Sequence, residues 1–225
     1  MMGFDQVGGY DRIATMFSPD GRIHQIEYAK EAVKHGSLVI VGRVKEGIIM
    51  ISEQKEFNKL ILPNEKINQI DEGVFAAYSG LLSDAKVLVE RIRVEAQVQR
   101  LYYKEDPDIN VIAWNLGTYM QQLLQRGMRP FGVSLILAGY DRNGTEVHLI
   151  EPSGAKFECK AIAIGNNDSD VMKELEEKYK DDMSLEELEK MILEIAKNHM
   201  EEKKVEYLKI NRASKEITRE IKTLE

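Results

Sequence analysis

Two uninterrupted apolar runs, Leu38-Val39-Ile40-Val41 and Ile48-Ile49-Met50-Ile51, lie around the polar stretch Lys45-Glu46-Gly47. Valine and isoleucine are stiff at χ1 and favour extended backbone, so the runs predict a hairpin, and their continuity predicts one that is largely buried. Upstream, Ile23, Ile26, Ala29 and Val33 recur at helical spacing and predict a short amphipathic helix from Asp20 to about His35-Gly36. Ser18 or Asp20 can cap it, Pro19 suits its first turn and Gly36 its end. Residues 1–19, with Gly3, Gly8 and Gly9, show no sustained period.

Further on, Val74 to Tyr78 predicts a strand, and Leu82, Ala85, Leu88, Val89, Ile92 and Ala96 mark one face of a long helix. Asp108 is the expected N-cap of a second, with a stripe running from Ile109 through Ile112, Leu116 and Met120 to Leu124 before Gly127 stops it. Trp114 and Met120 lie on this helix and read as core or subunit-contact residues. Strand chemistry returns at Val133 to Ala138, Glu146 to Ile150 and Lys156 to Ile164, with Asp141-Arg142-Asn143-Gly144 and Pro152-Ser153-Gly154 as turns, together a meander. Val171, Leu175 and Tyr179 define another helix. A capping box from Ser184 to Glu187 opens a last one through Leu188, Ile192 and Ile195, and Val205 to Ile210 reads as a late strand.

Strands, two helices, strands and two helices in that order are compatible with an α+β fold, a four-layer αββα sandwich of two antiparallel sheets flanked by helix pairs. Periodicity alone does not choose it over other α+β folds. The 225 residues, 43% hydrophobic and 31% charged, suit a single domain with a sizeable core. A formal charge of -7 gives no general attraction for nucleic acid or anionic lipid, so neither partner is expected. No apolar stretch approaches membrane-spanning length, and the chain reads as intracellular and cytoplasmic. Cys159 is the only cysteine, which excludes an internal disulfide and a multi-thiolate zinc site. His24, His35, His148 and His199 form no metal-ligand pair, and no phosphate-binding glycine loop occurs, so no cofactor is expected.

One stretch is more specific. Tyr10-Asp11-Arg12, Phe17-Ser18-Pro19-Asp20-Gly21-Arg22, Gln25, Glu27-Tyr28-Ala29 and Glu31-Ala32-Val33-Lys34-His35-Gly36 together resemble the N-terminal signature of proteasome α-type subunits. The resemblance continues through Ser79-Gly80-Leu81, Asp84-Ala85, Arg129-Pro130-Phe131-Gly132-Val133-Ser134, Pro152-Ser153-Gly154 and Ala161-Ile162-Ala163-Ile164-Gly165. It implies the N-terminal-nucleophile hydrolase fold in one domain over residues 1–225, divided into an N-terminal gate segment (1–19), an N-terminal helix (20–35) and the sandwich (36–225). It also implies a non-catalytic subunit of a threonine-type peptidase complex. Such a subunit joins other α subunits in a heptameric ring stacked on proteolytic β subunits, and passes unfolded protein substrates.

Residue by residue, the resemblance places the gate at Tyr10, Asp11, Arg12, Pro19 and Tyr28. A pocket for the C-terminal tails of regulatory ATPases falls at Lys66, Gly80 and Leu81, and the pore loop at Arg126, Gly127, Met128 and Arg129. The sequence departs from the family's usual pattern at Gln54 to Leu60, at Pro63-Asn64-Glu65 and at Gly127-Met128. Two other readings stay open. In one, Gly36-Ser37, Glu53 and Lys66 overlay the nucleophile, acid and lysine of the related β subunits, which would make the chain a self-processed Ser37 hydrolase. In the other, the chain is an α-like paralogue whose ring gates no protease.

Overall fold

The computed structural model describes residues 13–55, 58, 60–61 and 63–224. Helix α1 (His24–Lys34) leads into strands β1 (Val39–Val44), β2 (Gly47–Glu53), β3 (Ile67–Asp71) and β4 (Val74–Gly80), followed by helices α2 (Leu82–Tyr103) and α3 (Ile109–Gln125). Strands β5 (Val133–Asp141), β6 (Gly144–Ile150), β7 (Lys156–Glu158) and β8 (Ala161–Ile164) come next. Helices α4 (Asp168–Lys178) and α5 (Leu185–His199) and strands β9 (Lys204–Asn211) and β10 (Glu216–Thr223) complete the order.

The strands form two five-stranded sheets, ordered β10-β9-β2-β1-β8 and β3-β4-β5-β6-β7, with every pairing antiparallel. Alternation along each strand explains the continuous apolar runs. Val39, Val41, Ile48 and Met50 face the other sheet's Phe75, Ala77, Ile136 and Ala138. Ile40, Ile49 and Ile51 face Leu188, Ile192 and Ile195 on α5. In the second sheet, Ala76, Tyr78, Leu135 and Leu137 face Leu88 and Ile92 of α2 and Ile112 and Leu116 of α3. A strand buried on both faces has no polar alternation to show. The result is the four-layer αββα sandwich.

Two boundaries differ from the sequence reading. The first helix begins at His24, not Asp20, because Ser18 closes a turn instead of capping. Gly21 N–H donates to Ser18 O at 2.9 Å, Ser18 N–H to Arg22 O at 2.8 Å, and Arg22 N–H to Ser18 Oγ at 3.2 Å. Pro19 and Asp20 occupy the middle of that turn, and α1 starts after Ile23 without a side-chain cap. The stretch Lys156 to Ile164 is two strands, since the chain leaves one sheet after β7 and enters the other at β8, where Val41 pairs with Ile162. The Asp108 N-cap and the Ser184–Glu187 capping box form as expected. Met120 lies in the core at 3% exposure, whereas Trp114 on the same helix is 64% exposed.

Candidate functional site

At the end of the sandwich where α1 meets both sheets, backbone passes so close to backbone that side chains cannot fit. An added Cβ at Gly36 would lie 2.1 Å from Ser79 Oγ and 2.5 Å from Gly80 N. Gly80 has φ +115, and its Cβ would lie 2.2 Å from Gly132 O; Gly165 has φ +108, with its Cβ 2.6 Å from Ser37 O. Glycine is demanded at each by contact, and at the last two by backbone conformation as well. In the centre, the buried Ser79 hydroxyl lies 3.1 Å from the carbonyl oxygens of both Val33 and Ser37. Its single proton joins the last turn of α1 to the entry of β1.

The same junction carries a charged clamp. Arg129 donates to both oxygens of Asp84 at 2.7 and 2.8 Å, and Gly132 N–H donates to Asp84 at 2.9 Å. The Arg129 hydrogen bonds hold the Asp84 carboxyl below the ordinary carboxylate range. Replacing Arg129 by Ala should cost about 2 kcal/mol, because the Asp84 side chain is only 7% exposed and would lose both charge-assisted bonds. A carboxylate with a depressed native pKa stabilises above its unfolded pKa of about 3.9, and that contribution is lost as pH falls through the native value. Urea unfolding should therefore separate wild type from Arg129→Ala at pH 7 and bring them together at strongly acidic pH. An equal gap at both would assign the loss to packing.

Arg126, Gly127 and Met128 form the C-terminal stop of α3. Met128 N–H donates to Leu123 O at 3.1 Å and Gly127 N–H to Leu124 O at 3.0 Å, with Gly127 at φ +82. This is the paired bonding of a Schellman end, which needs a left-handed residue at that position. Nothing lies within 4 Å of a Cβ built on Gly127, so the turn is open at that point. Arg126 and Met128 are exposed. Arg129 differs from its neighbours, since it turns back to anchor the loop on α2.

Lys66 sits at the entry of β3. Ile67 pairs with Ala77, which sets Lys66 beside Tyr78, and the ammonium lies 5.5 Å from the Tyr78 ring centroid. The backbone N–H groups of Lys66 and Ile67 donate to Glu206 at 2.8 and 3.0 Å. Burial lowers the Lys66 pKa to about 8, with Lys55 adding to the effect and Glu53 and Glu206 opposing it. Burial likewise raises Glu206. Gly80 and exposed Leu81 leave β4 at the same end of the sheet. Of the gate residues, Tyr28 is exposed and stacks on His24 at 6.4 Å, and Pro19 lies in the exposed turn. Tyr10, Asp11 and Arg12 lie outside the described residues.

Ser37 is buried, and the carbonyl before it and its own carbonyl are both hydrogen-bonded. Asn166 N–H donates to Gly36 O at 2.9 Å, and Ser79 Oγ reaches Ser37 O. Glu53 accepts from Glu202 N–H at 2.8 Å and from Leu38 N–H at 3.4 Å, so its carboxylate serves the ends of strands. Burial raises the Cys159 thiol pKa, which keeps it protonated and unreactive near neutral pH.

A family model described as "Proteasome subunit" matches residues 33–213, and the N-terminal signature model of the A-type proteasome subunits matches residues 10–32. The chain belongs to the proteasome subunit family, as a member of the alpha type. It is 43% identical over 205 residues to the proteasome alpha subunit of Thermococcus sibiricus, an alignment covering 90% of this chain and 78% of the relative. To that of Archaeoglobus fulgidus it is 46% identical over 182 residues, covering 80% and 74%. To that of Methanocaldococcus jannaschii it is 45% identical over 181 residues, covering 79% and 69%. A proteasome subunit of alpha type assembles with other proteasome subunits. Among the described residues, no helix is long and apolar enough to cross a membrane.

The family motifs at Gly36, Ser79-Gly80, Asp84, Arg129, Gly132 and Gly165 are thus one structure, the glycine junction and its clamp. Glu206 escaped the sequence reading. Its neighbours two and four residues on, Leu208 and Ile210, pack between the sheets, so an acid at the same phase of an apolar strand was the available signal.

Proposed function

We propose that this chain is a non-catalytic subunit of the outer ring of a cytoplasmic proteasome core particle. Seven copies form a ring on a ring of proteolytic β subunits, with residues 1–19 gating the entry of unfolded chains. Arg126, Gly127 and Met128 line the aperture, and each copy brings one exposed Arg126 to it. ATPase tails dock at Lys66, Gly80 and Leu81. The observation that carries the non-catalytic reading is the enclosure of Ser37, buried in the glycine junction with Gly36 O accepting from Asn166 N–H and Ser37 O reached by Ser79 Oγ. An N-terminal nucleophile needs a free amine at Ser37, and freeing one would cut the chain inside the glycine junction and discard the residues of the alpha-type signature.

Stacking on a second ring is supported by the outer face of α2 and α3. Val87, Val94, Val98, Tyr102, Val111 and Trp114 are exposed there, and most of them line a cleft of about 1390 Å³ between the helices. Apolar groups clustered like this mark surfaces that become covered. The test is co-expression with an archaeal proteasome β subunit, followed by sizing, intact mass and peptidase assay. The expected result is a stacked particle in which this chain keeps the residues before Ser37 and Ser37→Ala leaves peptidase activity unchanged. Loss of residues 1–36 in the intact mass, or loss of activity in assembled Ser37→Ala particles, would overturn the reading.

A further inference from the structure

Away from the glycine junction, at the C-terminal end of α2, turns from the two sheets face one another across a cleft of about 680 Å³. Five of its lining residues are basic, Arg100, Lys104, Arg142, Arg212 and Lys215, against three acidic ones, in a chain whose formal charge is -7. The acids are already engaged. Asp141 accepts from the N–H groups of Asn143 at 2.7 Å and Ile109 at 3.2 Å. Asp106 faces Arg100 at 3.1 Å, and Glu105 faces Arg142 at 3.4 Å. Among the described residues the side chains of Lys104, Arg212 and Lys215 have no such partner.

Backbone conformation singles out two of the three. The described residues other than glycine with positive φ are Lys104 at 56, Asn167 at 59 and Lys215 at 55. Asparagine tolerates that region, whereas a lysine there is strained. Lys104 occupies the left-handed C-cap of α2, where glycine is usual. Lys215 ends the β9–β10 turn, in which Asn211 Oδ1 accepts from the Ala213 and Ser214 N–H groups. Two lysines in separate turns are therefore held in a glycine conformation at the rim of one cleft. Strain of this kind points to a task for the side chain. Arg212, in the same turn as Lys215, reaches over the β5–β6 turn, where a Cβ on Gly144 would lie 3.8 Å from its Nη1.

We infer that this cleft binds a linear oligophosphate through Lys104, Arg212 and Lys215. Three unpaired cations lining a small concavity, one from the end of α2 and two from the β9–β10 turn, suit several linked phosphates, because a guanidinium takes two oxygens at once and each ammonium neutralises one more. Orthophosphate brings less charge and fewer oxygens to share among the three. The volume lies in the range of small-ligand pockets, and the acidic balance of the whole chain opposes an extended nucleic acid.

Calorimetric titration of the full chain with sodium triphosphate at low ionic strength tests this, with orthophosphate and ATP as parallel ligands. The doubly substituted Lys104→Gly/Lys215→Gly chain removes both charges and relieves both strained residues, so it should melt no lower than wild type. Triphosphate is expected to bind saturably, more tightly than orthophosphate, and about tenfold or more weaker in the double variant and in Arg212→Gln. ATP matching triphosphate would point to a nucleotide as the source of the phosphates, and ATP falling behind to an inorganic chain; either supports the site. No saturable binding of triphosphate, parity with orthophosphate, or undiminished binding by the folded double variant would overturn it.

Discussion

Gly80→Ala is expected to destabilise the chain by about 4 kcal/mol or more, a large share of what holds a domain of this size together. Two costs add. At φ +115 an alanine is strained wherever it sits. Its methyl would also lie 2.2 Å from Gly132 O and 2.9 Å from Val133 Cα, atoms of β5 and its approach that cannot swing away as a side chain would. That same Gly132 oxygen accepts the Leu81 N–H at 2.9 Å, and β5 is paired on both sides, by β4 and β6. Any movement that admits the methyl therefore pulls on hydrogen bonds in three strands. Gly21→Ala isolates the conformational part, because Gly21 has φ +75 and open space around its Cβ position. It should cost only about 1 kcal/mol. Urea unfolding of both variants decides the point. If Gly80→Ala loses no more than Gly21→Ala, the junction yields and is not the rigid frame inferred from its contacts.

The layers of the sandwich were legible because their signal is local. The stripes of α2, α3 and α5 and the runs in β1 and β2 each state which face is apolar, and a chain that buries every such face is driven to stack layers. What stayed hidden depends on partners distant in sequence. Strand β3 is an edge strand, Ile67-Asn68-Gln69-Ile70-Asp71, whose polar residues announce nothing until Glu206 fixes its entry. Strand β10 is mostly exposed, with Ile217 and Ile221 among charges and β9 supplying the rest of its order. In the first helix, Ser18 had two uses for its oxygens, a cap or a turn, and only the positions of Gly21 and Arg22 show that the turn took both.

The candidate sites divide in the same way. Arg129 follows Met128 in sequence and so reads as part of the aperture loop, yet the Asp84 carboxylate is 45 residues away and draws it back. Glu53 overlays a catalytic acid by spacing, but the N–H groups of Leu38 and Glu202 occupy its oxygens. Family motifs locate a functional region, and the hydrogen-bond inventory decides what each side chain there is free to do.

Lys66→Ala is expected to abolish stimulation by a regulatory ATPase while leaving basal peptide hydrolysis intact. The fold should tolerate the change, because Lys66 anchors β3 through its backbone N–H, bonded to Glu206 at 2.8 Å, and alanine keeps that group. What disappears is a half-buried ammonium at the end of the sheet where Gly80 and Leu81 emerge. A tail carboxylate entering such a place needs a cation, since an unpaired buried charge costs several kcal/mol. Burial has lowered the Lys66 pKa to about 8, so the free pocket carries its full charge only below that pH. Stimulation of assembled particles should fall as pH rises from 7 through about 8 and beyond, and Lys66→Arg, which stays charged, should remove that fall even if its different shape weakens docking. The same lowered pKa acts on stability with the opposite trend. Between about 8 and the unfolded value of about 10.4 the unfolded chain binds more protons, so the native state gains stability as pH rises. A loss of stimulation at high pH cannot then be charged to this group unfolding the chain. Short peptides carrying the ATPase C-terminal sequence, with the terminal carboxylate free or amidated, provide the direct comparison. The free acid should stimulate wild type alone, and the amide neither protein. Equal stimulation of wild type and Lys66→Ala, or a flat response from pH 7 to 9 in wild type, would remove Lys66 from the docking site.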